Sequence, residues 1–275
     1  MNNFKMICLD IDGTLLNSNH KISEKVKNAI NIVANEKKIP VILVSARMPK
    51  GIKFLQKELG IEQPIICYSG ALILDKDNKI LSKEFIDVFN LEEIYKLVSD
   101  HNIHISLYKD DEWYIEEMDY WAKQESEITN IIPKVTDFND LIELWEIEGT
   151  GGPNKILCMA SPDKINLLKE NIKANELNIY PSKPTYLEIM PTNASKTSAI
   201  NILQKKFNVD KAEIIAMGDN YNDIDMLEYA GLGIAMGNAP DNVKKHANDV
   251  TLTNDEDGVA EALEKYVIIC RDTSK

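Results

Sequence analysis

Apolar and polar positions along the chain follow two different periods, and the pattern changes twice. Met6 to Leu9 is a short continuous apolar run, the mark of a buried strand. Ile22, Val26, Ile30 and Val33 then recur near helical spacing, with Ser23 placed to cap the helix start. Pro40 opens a second apolar run, VILV, which stops at Ser45. Ile52, Leu55 and Leu59 outline another helix, ended by Gly60. IICYSG reads as a third short strand, and ALILDKDNKIL as a hairpin, two apolar runs around a polar turn. Strand–helix–strand–helix–strand predicts a parallel sheet with helices on its faces.

Between about residues 83 and 189 the strands come in neighbouring pairs. HISLYKDDEWYIEE predicts two strands around a Lys-Asp-Asp-Glu turn, and NIYPSKPTYLEIM a second pair bent at two prolines. Helical stretches precede them: LEEIYKLVSDHN, and SPDKINLLKENIKANE with Ser161 as cap and Pro162 in the first turn. A glycine-rich loop, EGTGGPNK, separates these units and reads as a flexible connection between strands. This stretch predicts a largely antiparallel α+β domain. After Met190 the alternation resumes. A helix is expected from Ser195 to Phe207, then a strand, EIIAMGD, ending at Asp219. A helix from Asn222, a strand GIAM, a helix from Ala239, a strand VTLT and a helix from Glu256 to Tyr266 follow. The expected organisation is α/β: a parallel-sheet core built from residues 1–82 and 190–275, with an α+β domain, residues 83–189, inserted into it.

Charge narrows the function classes. Acidic residues outnumber basic ones, 44 to 31, for a net charge of −13. Nucleic acid and anionic membrane both call for a basic surface, so neither is expected as a partner. An anionic small molecule needs only a local basic pocket. The cysteines Cys8, Cys67, Cys158 and Cys270 form no CxxC pair, and three lie in strand-like runs, so buried thiols are expected rather than disulfides. The first apolar run is interrupted by aspartates, unlike a signal peptide, and no window approaches the ~20 apolar residues of a membrane span. The expectation is a cytoplasmic protein.

The chemistry gathers at predicted strand ends. Asp10 and Asp12 follow the first strand two residues apart, so they repel if both face one pocket. A divalent cation relieves that repulsion; so does protonation of one acid. The carboxyl end of a parallel strand is where open α/β sheets place ligands. Gly13 turns the chain away and Thr14 adds a hydroxyl. Ser45 follows VILV, Asp219 follows IIAMG, and Lys196 opens the helix before that strand, against the helix dipole. Two carboxylate-bearing strand ends, a hydroxyl and an ammonium form one set.

This set resembles the haloacid dehalogenase superfamily of phosphohydrolases. DIDGTLL (residues 10–16) matches the first motif, Ser45 the second, Lys196 the third and GDNYND (residues 218–223) the fourth. The hairpin after YSGA, the paired-strand insert, and GDNYNDIDML with AMGNA downstream look most like the Cof-type branch with a C2-type cap, which implies a Rossmann-like core. The resemblance implies that Asp10 is a nucleophile passing through an aspartyl-phosphate and Asp12 a general acid and base. Mg²⁺ would be held by the Asp10 carboxylate, the Asp12 carbonyl and Asp219. Ser45 and Lys196 would hold the phosphoryl group, Arg47, Ser69, Gly70 and Asn222 would contact substrate, and Asp223 would support the site. Three positions depart from the branch pattern: Ser45-Ala46-Arg47 for Thr-Gly-Arg, Tyr68-Ser69-Gly70 where Asn-Gly is common, and Thr197 where glycine follows the lysine. None removes a catalytic group.

Other patterns point elsewhere and lack context. GLGIAMG superficially matches a dinucleotide loop but contains a strand instead of following one. EGTGGPNK lacks the ending of a P-loop. His101 and His104 have no third metal ligand nearby in sequence. Asp225 reads as an exposed helix acid, and Trp113, Tyr114, Tyr120 and Trp121 as core of the insert. Arg47 either contacts substrate or pairs with a core acid. The expected activity is hydrolysis of a small phosphorylated metabolite, a sugar phosphate or phosphorylated cofactor. Lys155, the stretch Tyr180 to Tyr186, and Glu188 are candidates for selectivity. A phosphosugar mutase or other phosphotransferase could use the same aspartate, and a phosphoaspartate signalling module could share the strand-end acids.

Overall fold

A computed structural model describes residues 4–173 and 177–269. Cys270, and residues 174–176 at the end of the expected KENIKANE helix, lie outside the described residues. The chain forms two compact units. One comprises Met1–Ala46, Ile52–Leu81 and Ser195–Lys275; the other comprises Arg47–Gly51 and Ser82–Ala194.

The first unit begins with β1 (Met6–Asp10), buried along its whole length. Its apolar residues on both faces match a central parallel strand. Ser23 caps α1 (Glu24–Asn31) by accepting from the Val26 N–H at 3.1 Å. Strand β2 (Val41–Val44), α2 (Pro49–Leu59) and β3 (Ile65–Cys67) follow. β4 (Leu72–Leu74) and β5 (Ile80–Lys83) form the expected hairpin, and the Asp75 carboxylate shapes its turn by accepting from the N–H groups of Asp77 and Lys79.

In the second unit Asp87 caps α3 (Val88–Asp100), three residues ahead of the expected helix start. β6 (His104–Lys109) and β7 (Glu112–Ile115) form the first strand pair. Two helices absent from the sequence reading follow: α4 (Tyr120–Thr129) and α5 (Phe138–Glu148), with the short β8 (Lys134–Val135) between them. EGTGGPNK joins α5 to β9 (Lys155–Met159), so it is not a connection between strands. Nor is it loose, because Asn154 is fully buried: its amide donates to the Glu84 carbonyl and its Oδ1 accepts from the Asp110 N–H. Pro162 opens α6 (Pro162–Asn171), and β10 (Leu177–Lys183) pairs with β11 (Tyr186–Pro191) across a register shift between Tyr180 and Lys183, beside Pro181. The six strands run in the order β10-β11-β9-β6-β7-β8, antiparallel except for β7 with β8. One face packs Ile105, Leu107, Ile156, Cys158, Leu187 and Ile189 into a core with α3, α5 and α6. This unit runs to Ala194, past the expected boundary at residue 189, because β11 continues to Pro191 and the Ala194 N–H turns back to the Pro191 carbonyl.

Alternation then resumes with α7 (Lys196–Phe207), capped by Ser195, then β12 (Ile214–Gly218), α8 (Ile224–Tyr229), β13 (Leu232–Ala235), α9 (Asp241–Lys244), β14 (Asp249–Val250) and α10 (Gly258–Leu263). The last helix starts later than expected because Asp257 adopts a left-handed φ of 62°. The expected VTLT strand shrinks to its first residue, paired beside Asp249. Eight strands run β14-β13-β12-β1-β2-β3-β4-β5, parallel from β14 to β3. The fold is α/β with a parallel-sheet core, as the alternation implied. Met6, Cys8, Ile42, Val44, Ile214 and Ala216 pack one face against α7 and α8. Cys8, Cys67 and Cys158 are buried thiols. Among the described residues no helix is long and apolar enough to cross a membrane.

Candidate active site

Strand register assembles the site in the first unit. Asp10 is level with Val44 on one side, and Leu9 with Met217 on the other. Asp10, Ser45 and Asp219 therefore stand at the same carboxyl edge of three adjacent parallel strands. A ladder of backbone hydrogen bonds fixes these positions, so residues far apart in sequence meet without any long side chain reaching for them.

The centre is a buried ion cluster. Lys196, the first residue of α7, places Nζ 2.5 Å from Asp10 Oδ1 and 2.6 Å from Asp223 Oδ1. Asp223 has no exposed surface. Its other oxygen accepts from the N–H groups of Asp219 at 3.0 Å and Asn220 at 2.9 Å. Asp223 therefore fixes both the ammonium and the backbone that presents Asp219. The Thr14 hydroxyl donates to Asp219 Oδ1 at 3.0 Å. Gly13 makes that approach possible: φ is +84°, and a Cβ there would lie 2.3 Å from Asp219 Oδ2.

Charge is unbalanced in this pocket. Burial opposes the Lys196 charge, but Asp10 and Asp223 outweigh it and hold the ammonium protonated. Burial raises the Asp10 carboxyl well above its usual range; Lys196 opposes the shift while Asp223 and Asp219 add to it. Asp219 is pushed up to about 6 by burial and by the Asp223 charge, with the Thr14 hydrogen bond acting the other way. Three carboxylates face one ammonium. The excess is what a divalent cation offsets, and oxygen donors of Asp10, Asp219 and Asp223 lie within 4.8 Å of one another. An all-carboxylate donor set suits a hard cation such as Mg²⁺.

The other expected site residues fall in four places. Asp12 is exposed at the loop just past β1, and its charge adds to the negative field at Asp219. Ser45 and Ser69 are buried and joined through backbone, the Ser69 N–H donating to the Ser45 carbonyl at 2.9 Å. That segment is strained: Tyr68, Ser69 and Gly70 all have left-handed φ, at 50°, 51° and 108°. At Gly70 a Cβ would meet the Ser195 carbonyl at 2.2 Å, so the glycine lets this turn reach the start of α7. Asn222 is exposed on the turn before Asp223. Arg47 is half-buried and groups with the second unit. Asp225 is exposed in the first turn of α8.

In the second unit the sheet face opposite this core mixes polar groups with buried apolar ones, Trp113 stacking on Tyr108. Lys155 and Glu188 form a nearly buried ion pair at 2.9 Å, and Tyr108 is level with Lys155. The Tyr186 hydroxyl donates to Glu125 Oε2 at 3.0 Å and accepts from the Gln124 amide at 2.9 Å. Trp113 is core, whereas Tyr120 is 69% exposed, because its position at the first turn of α4 turns it outward. His104 bonds Asp119 and Ser106 and serves no metal cluster among the described residues.

Sequence reading missed two features here. It expects Asp223 to orient Lys196, as it does, but not its hold on the Asp219 backbone, and it gives the Thr14 hydroxyl no partner. The GDNYND run carried the first signal. No local signal exists for the second, since Thr14 and Asp219 are 205 residues apart.

Comparison with known proteins finds relatives over nearly the whole chain. The profile of the haloacid dehalogenase-like hydrolases matches residues 7–263. A Haemophilus influenzae relative is 36% identical over 269 residues, covering 95% of this chain and 98% of its own. The 5-amino-6-(5-phospho-D-ribitylamino)uracil phosphatase YcsE of Bacillus subtilis is 30% identical, with 96% of each chain covered. Among solved structures, a haloacid dehalogenase-like hydrolase from Bacteroides thetaiotaomicron superposes with a TM-score of 0.87 at 31% identity, over 95% of this chain and 99% of its own.

Proposed function

Because the chain belongs to the haloacid dehalogenase-like hydrolases and is a phosphatase of that family, we propose that it is a Mg²⁺-dependent phosphomonoesterase acting on small phosphorylated metabolites through an aspartyl-phosphate. The observation that carries this reading is the Asp10–Lys196–Asp223 cluster beside Asp219, a carboxylate nucleophile set against a fixed ammonium at a strand edge.

In this reading an Asp10 oxygen attacks phosphorus, and the bond from phosphorus to the substrate oxygen breaks. Asp12, exposed on its loop, gives its proton to the departing alcohol. Water then attacks the aspartyl-phosphate, Asp12 takes the water's proton, and phosphate leaves with Asp10 regenerated. Lys196 and the Ser45 hydroxyl hold the phosphoryl oxygens while charge builds on them. Ser69, Gly70 and Asn222 are further substrate-side candidates, and Arg47 a candidate contributed by its own segment. Mg²⁺, held by Asp10, Asp219 and the Asp12 carbonyl, would neutralise charge on the phosphoryl group and on the clustered carboxylates. Asp223 positions Lys196 and the Asp219 backbone.

The substrate class follows from two supports. The Bacillus subtilis relative is named for a phosphorylated ribitylamino compound, and the cluster sets one ammonium, Lys196, beside the Asp10 carboxylate. Both favour a monophosphate on a polar small molecule. The test is a panel of phosphorylated metabolites with the purified protein, with and without Mg²⁺. Phosphate release that EDTA stops and Mg²⁺ restores supports the reading; release indifferent to chelation removes the metal from it.

A further inference from the structure

The loop from Asp12 to Ser23 has no regular element beyond a bridge between Asp12 and Leu16, yet it carries the exposed acid. It is held from outside by the distant C-terminal part of the chain. The Asn238 amide donates to the Gly13 carbonyl at 2.9 Å, and the Asn254 amide donates to the Leu16 carbonyl at 2.8 Å. The two asparagines are themselves joined, the Asn254 N–H donating to Asn238 Oδ1 at 3.0 Å. Further along the loop, the Ser18 N–H donates to Asp255 Oδ1 at 2.8 Å, and the Ser23 hydroxyl to Asp257.

These anchors are not loose themselves. The Met236 N–H donates to the Gly218 carbonyl at 3.0 Å, and the Gly237 N–H to the Leu252 carbonyl at 2.9 Å. The segment carrying Asn238 is thus pinned to the end of β12, next to Asp219, and to the segment carrying Asn254. Gly13 directly follows Asp12, and Leu16 is its bridge partner. The grips therefore fall on the two residues that set where the Asp12 backbone lies.

We propose that Asn238 and Asn254 are positioning residues that hold the Asp12 loop so that its carboxyl meets the leaving oxygen. The proposal rests on the reading of Asp12 as general acid. A side chain on an unbraced loop would spend less time within reach of the oxygen it protonates, and a misplacement of about 1 Å is enough to cost rate. The two amides act on main-chain carbonyls, so they fix Asp12 without touching substrate.

The test is a leaving-group series in kcat/KM, which reports departure of the leaving group. Wild type, Asp12→Asn, Asn238→Ala and Asn254→Ala are compared on phosphate monoesters from good aryl to poor alkyl leaving groups, with Mg²⁺ present. Asn238→Ala and Asn254→Ala should lose about tenfold on the alkyl esters and much less on the best aryl ester, giving a slope between wild type and Asp12→Asn. Adding Asn238→Ala to Asp12→Asn should steepen the slope no further. A uniform loss in both asparagine variants, or none, overturns the proposal. A wild-type slope in Asp12→Asn overturns the acid assignment beneath it. Should one alanine variant fail to fold, the other reads the same brace from its opposite end.

Discussion

Lys196 Nζ lies 2.6 Å from Oδ1 of Asp223, a carboxylate with no exposed surface. That contact does two jobs at once. It holds the ammonium toward Asp10, and it spends one of the pocket's three negative charges on a fixed partner.

Removing the ammonium while keeping its bulk should therefore hurt both activity and stability. Lys196→Met should lower kcat at least about a hundredfold, as loss of a phosphoryl-oxygen donor does. It should also cost about 3 kcal/mol at pH 7, because the buried Asp10 and Asp223 carboxylates lose their common partner. Urea unfolding and steady-state kinetics check the two effects. Asp223→Asn should fold but lose turnover, because the amide cannot match the carboxylate's hold on Lys196; unchanged kcat in that variant would deny Asp223 a positioning role.

Thr14 offers a more selective probe of the metal site. Thr14→Val keeps the side-chain shape but removes the hydroxyl that donates to Asp219 Oδ1. Mg²⁺ affinity should fall by about tenfold, the scale for loss of an outer hydrogen bond to a metal-holding carboxylate. The unfolding midpoint should move little. Calorimetric titration of Mg²⁺ into the two proteins measures the change, and equal affinities would detach Thr14 from the metal site.

How far the sequence revealed this architecture differs between elements. β1, β2 and β12 were legible because each is an apolar run ended by a polar group, the signature of a buried parallel strand with a ligand-side edge. α4 was not, because only Ala122 of its residues is buried and no apolar stripe marks it. α5 did carry a stripe, with Phe138, Leu141, Ile142 and Trp145 at helical spacing, and was passed over beside the strand pairs. Asp10, Asp219 and Lys196 could be placed from motif spacing, since register does the rest. The Asn238–Gly13 contact could not, because it spans 225 residues and leaves no local trace.

A pH effect is expected in the second unit. His104 is buried between Asp119 Oδ2 at 2.9 Å and Ser106 Oγ at 2.8 Å. Burial pushes its imidazole below the ordinary range, with Asp119 pulling partly back. The folded state therefore prefers neutral His104. Stability from this group is fully present above the unfolded value of about 6.5 and is lost as pH falls below it. Urea unfolding at pH 7.5 and 5.5, used here as roughly one unit either side of that value, should show a smaller acid loss in His104→Gln. An identical loss in both proteins would place the acid sensitivity elsewhere.

The central claim is that Asp10 becomes phosphorylated, and it can be observed directly. Asp12→Asn should still form the intermediate from an aryl phosphate, whose leaving group needs no proton, but should lack the base that clears it. Acid quenching of this variant with a radiolabelled aryl phosphate and Mg²⁺, followed by peptide mapping, should place label on the peptide containing Asp10 and lose it in the additional Asp10→Asn variant. Absence of covalent label, together with turnover that survives Asp10→Asn, would contradict the account.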